Sequence, residues 1–119
     1  MTGAASRIGG TGAVSTNSLV FGLDGTLYTA GLGALSTLDI ATGAATTVGL
    51  TGFFPAGDLA FVDGKLLMTA SGRGQDALVE LDTTTGAGTL VGEIGVGGMF
   101  GLASPDGSSL FGTSGTSVL

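Results

Sequence analysis

Apolar residues along the chain come in short runs of four to seven, many of them alternating with small polar residues, and each run ends in turn chemistry. SLVFGL (18–23), DLAFV (58–62) and GLAS (101–104) form one set, which we call run A. Each is followed closely by Asp-Gly: Asp24–Gly25, Asp63–Gly64 and Asp106–Gly107. That pair favours a tight hairpin, because Gly takes positive φ without strain and Asp tolerates it. Run B follows as TLYTA (26–30), KLLMTA (65–70) and SLFGTS (109–114). Run C is ALSTLD (34–39) or ALVELD (77–82), and it leads into Asp39–Gly43 or Asp82–Gly86, where a carboxylate can cap its own turn amides. Run D is ATTVGL (45–50) or GTLVGEI (88–94). No apolar stripe of period 3.6 with caps is present, so essentially no helix is expected.

The runs recur. LDIATGAATTVGLTG (38–52) and LDTTTGAGTLVGEIG (81–95) are identical at nine of fifteen positions, 43 residues apart. SRIGGTG (6–12) echoes TTVGLTG (46–52) at an offset of 40. Leu19, Leu59 and Leu102 keep the same 40 and 43 spacing. A four-run antiparallel unit repeating every 40–43 residues matches the blade of a β-propeller. Leucine-rich repeats need a shorter, stricter pattern that is absent. An immunoglobulin-like sandwich is the rival, but it would not require the sequence to repeat itself.

The expectation is therefore an all-β chain, a partial β-propeller of consecutive four-stranded antiparallel blades. Residues 5–16 would be the last strand of a preceding blade and a linker, 17–52 and 57–95 two blades, and 98–119 the start of another. Propellers close with four to eight blades, so just under three leave apolar faces open. Two explanations fit: the chain is an excerpt of a longer propeller, or copies assemble, the leading run D of one completing the trailing unit of the next. Two copies would then give six blades. Its expected partners are accordingly the remaining blades or further copies of itself.

SPDGSSLF (104–111) resembles the Ser-Pro-Asp-Gly-x-x-Leu hairpin of bacterial TolB-like, YVTN-type and lactonase-like propellers. DGTLY and LSTLDIATGAATTVG, within 24–49, resemble the repeat of secreted bacterial NHL-like and quinoprotein-like propellers. The resemblance spans nearly the whole chain and belongs to the blade rather than to one activity. It implies a secreted or cell-surface binding or scaffold segment without catalysis of its own, or else part of a propeller hydrolase or lactonase whose active site lies elsewhere. Tryptophan is absent, which argues against true quinoproteins.

Composition narrows the chemistry. The 119 residues include 25 Gly but only three Lys and Arg against nine Asp and Glu, for a net charge of −6. That leaves no electrostatic footprint for nucleic acid or an anionic membrane. Low charge suits an extracellular or surface β protein. The opening MTGAASRIGG lacks the basic and apolar regions of a signal peptide, and no apolar run approaches a spanning helix, so a soluble chain is expected. Without Cys or His there is no disulfide, thiolate or imidazole chemistry. Neither a phosphate loop nor a serine elbow is present, and no EF-hand loop, so no cofactor and no metal are expected. Five of the nine acids (Asp24, Asp39, Asp63, Asp82, Asp106) read as turn residues, and Glu80 and Asp82 as a solvated edge.

What remains is loop surface. TGFFPAGD (51–58) and SGRGQD (71–76) would share one face of a propeller, making Phe53, Phe54, Asp58, Arg73, Gln75 and Asp76 the candidate ligand residues, for a protein or a carbohydrate. The structural reading of the same residues is that one Phe plugs the seam between units while Arg73 pairs with Asp76. Asp58 opens its run A, where lactonase-like propellers place metal ligands. Ser18 and Gly101 stand at the matching positions, so a ring of carboxylates cannot form there.

Overall fold

The computed structural model describes residues 2–115 and 117–119, and among these ten strands and no helix form. β1 (Val20–Phe21), β2 (Leu27–Gly31), β3 (Ala34–Leu38) and β4 (Ala45–Leu50) make one antiparallel sheet in chain order. β5 (Pro55–Val62), β6 (Lys65–Ala70), β7 (Ala77–Leu81) and β8 (Gly88–Glu93) make a second of the same order. β9 (Met99–Ala103) and β10 (Phe111–Ser114) pair as a third, two-stranded sheet. Val118 bridges to Thr113 beside β10, and Leu119 and Gly112 exchange both backbone bonds, at 2.9 and 3.0 Å. Thr116, within the expected third unit, lies outside the described residues.

The predicted runs and the strands coincide closely for β2 to β4 and β6 to β8. They differ at the first run of each unit: β1 is only two residues long, whereas β5 begins at Pro55 and β9 at Met99, both upstream of the runs. Residues 6–12, expected as a last strand, pair with no sheet and lie against the first one. The Asp-Gly pairs also differ from one another. Asp63 and Gly64 both take positive φ, 49° and 76°, joining Val62 to Lys65 by the mirror-image turn that matches strand twist. At Asp24 and Asp106 only the glycine does so, and the aspartate instead caps the turn through its carboxylate.

Alternation decides what is buried. Tyr28, Ala30 and Leu35 from the first sheet meet Leu59, Leu66, Met68, Ala70, Val79 and Leu81 from the second in one core. Phe53 and Phe61 pack against it, and Tyr28 and Phe61 stand edge to face with centroids 5.8 Å apart. On β6 every residue after Lys65 is buried, so both faces of the second sheet are covered. A strand that reads LLMTA, with no charge and no strict alternation, belongs in such a place.

Candidate functional site

The six residues expected to form a ligand surface are not gathered into one. Phe53 is part-buried against the core, its N–H bound to the Thr51 hydroxyl at 3.1 Å, while Phe54 is 65% exposed. The loop of residues 71–76 does run beside them, since the Ser71 N–H donates to the Phe54 carbonyl at 2.8 Å. Within that loop the polar side chains go three ways. Arg73 is exposed, Gln75 donates its amide to the Glu93 carboxylate, and Asp76 is buried.

An Arg73–Asp76 ion pair does not form. The ion pair among the described residues is Lys65–Glu80, at 2.9 Å on the surface. Asp76 turns away because it has better partners: its carboxylate accepts the Met99 N–H at 2.8 Å, and its own N–H donates to the Val96 carbonyl. A buried acid held by a backbone amide satisfies a donor that would otherwise be stranded. Asp58, on β5, does the same. One carboxylate oxygen accepts the Leu59 N–H at 2.9 Å and the other crosses to the Leu102 N–H of β9 at 3.0 Å. These two carboxylates therefore pin β9 onto the second sheet. Ser18, at the position matching Asp58, makes a local version, accepting the Ala30 N–H at 3.0 Å.

One cavity lies away from the loops. β1, β5 and β9, the first strands of the three units, converge on an open groove of about 510 Å³. Its walls include Leu19, Phe21, Leu23, Phe61 and Leu102, with the carboxylates Asp58 and Asp63 at its edges. Leu19 and Phe21 are more than half exposed, and Leu23 is fully so. The signal was present in run A, where SLVFGL fails to alternate and places an apolar residue on either side of the strand. No group of three or more metal-ligating side chains occurs among the described residues.

The turn acids carry the resolved electrostatics. Asp39 is held below its ordinary 3.8 chiefly by the Thr42 N–H and then by Ala41, Asp82 by the Thr85 N–H and then by Thr84. Asp24 is lowered by the Thr26 N–H and its hydroxyl, and Asp106 falls to about 2 through the Ser109 and Ser108 amides. Each of these four carboxylates is engaged by amides of its own turn. No helix of the described chain is long and apolar enough to cross a membrane. No protein-family model matches the chain, and a search of the curated proteins finds no match.

Proposed function

We propose that the chain is a segment of a β-propeller that acts as a binding or scaffold module, with no catalysis of its own. The observation that carries this reading is the groove where β1, β5 and β9 meet. Strands that open successive units and converge on one cavity are what an arrangement of blades about a shared axis requires. The 40–43 residue repeat supports the same reading. The groove offers mostly apolar wall with carboxylates at its edges, which fits an apolar segment of a protein or a carbohydrate face better than an anion. Acting outside the cell or on its surface suits a chain with so few charges.

A thermal-shift panel of short apolar peptides, oligosaccharides and calcium tests the proposal. Stabilisation by a peptide or oligosaccharide, lost in Phe21→Ser and Leu19→Ser, is the expected result. Ester or lactone turnover by the purified chain, or stabilisation by calcium alone, would contradict it.

A further inference from the structure

Contacts between successive units follow one rule. Gly9 lies against the Thr42–Gly43 turn: a Cβ on Gly9 would collide with the Thr42 carbonyl, and one on Gly43 would sit 3.3 Å from the Gly9 backbone. Gly49, 40 residues on, lies against Thr85–Gly86 in the same way, with a Cβ on Gly86 only 2.7 Å from the Gly49 backbone. Each contact is followed by a hydrogen bond two residues along. Ala45 N–H donates to the Thr11 carbonyl at 2.8 Å, and Gly88 N–H to the Thr51 carbonyl at 2.9 Å.

The next position in the series is Gly92, with Ile94 two residues after it. A Cβ built on Gly92 would meet nothing within 4 Å. This is a seat without a turn. The chain also carries a turn without a seat. TGAASRIGGTG (2–12) matches TGAATTVGLTG (42–52) at seven of eleven positions. Gly3 has φ 73°, beside 78° at Gly43 and 80° at Gly86. Ala4 N–H reaches the Thr2 hydroxyl at 3.5 Å, as Ala44 reaches Thr42 and Ala87 reaches Thr85, both at 3.3 Å. Nothing lies within 4 Å of a Cβ on Gly3 either.

We propose that the Thr2–Gly3 turn of one copy of this chain docks on Gly92 of a second copy, with the Ala5 N–H donating to the Ile94 carbonyl. Residues 5–10 of the first copy then enter as an outer strand of the second copy's β9–β10 sheet, matching β4 and β8 in theirs. That sheet has two strands where the others have four, and Val118 has already begun a third. Large apolar side chains stand exposed on this sheet and on neighbouring β8: Leu90, Val91, Phe100, Phe111 and Val118 are each at least half exposed. The contact joins unlike patches head to tail, so copies related by it close into a ring or extend as a filament. This inference rests on the two repeated contacts and does not need the groove to bind anything.

Sedimentation velocity of the full 119-residue chain over a range of concentrations tests it, alongside Gly92→Val and Ala5→Pro. Gly92→Val puts a side chain into open space in the single copy but into the seat. Ala5→Pro removes the donor from an exposed residue at the other end. The expected result is association of the unaltered chain, weakened roughly tenfold or more in each variant, with thermal midpoints measured at high dilution unchanged. An unaltered chain that stays monomeric at every concentration, or variants that associate as strongly as it does, would overturn the proposal.

Discussion

Asp39 and Asp82 do the same job in successive units, Oδ1 of each accepting two amides of its own turn, at 2.8 and 2.8 Å and at 2.7 and 3.0 Å. Their pKa is lowered in the folded chain, as it is for Asp24 and Asp106, so the ionised form is favoured by folding. A lowered folded value gives stability that is present above the unfolded value and lost as pH falls through the folded one. Thermal midpoints by circular dichroism should therefore hold steady down to about pH 4 and fall between there and about pH 2, where Asp106 titrates. Asp106→Asn should flatten the lowest part of that curve, and a curve with no acid limb would contradict the assignment. Turn acids such as these are readable from Asp-Gly spacing, because the chemistry is local. Asp58 and Asp76 were not, since their amide partners on β9 are 44 and 23 residues away.

Strands are legible where burial is two-sided or alternating, which is why β6 and β7 fall where the runs place them. β6 has the most to lose. Met68 is fully buried between the first sheet and its own neighbours, and Met68→Ala should cost about 2–5 kcal/mol in chemical denaturation. The docking of β9 depends on polar atoms instead. Asp76→Ala leaves the buried Met99 N–H without its acceptor and should cost about 1–3 kcal/mol, with faster hydrogen exchange at Met99. Unchanged exchange there would mean that Asp76 is not what holds the strand. Pattern alone misplaced β1 because its run is apolar on both sides. Only Val20 and Phe21 pair with β2 as a ladder, while Ser18 is tied to Ala30 through its hydroxyl and Leu19 and Leu23 line the groove.

At the scale of the molecule, the repeat pointed to recurring four-run units, and two four-stranded sheets and a two-stranded one form among the described residues. It did not announce how they touch. That depends on backbone meeting backbone at Gly9 and Gly49, positions where a side chain would collide with the next unit's turn. In sequence these look like ordinary strand glycines, and so does Gly92, which has no neighbour to meet. The contrast gives a direct test of the packing rule: Gly49→Val should destabilise the chain strongly, whereas Gly92→Val should leave the midpoint of a single copy unchanged.

The Thr-Gly turn of each four-stranded sheet seats on a glycine of the segment before it, and proton–proton NOEs read that contact. Cross-peaks are expected between the α-protons of Gly9 and Gly43 and between those of Gly49 and Gly86. A well-folded chain lacking both sets, with the Gly49 α-protons facing water, would contradict it.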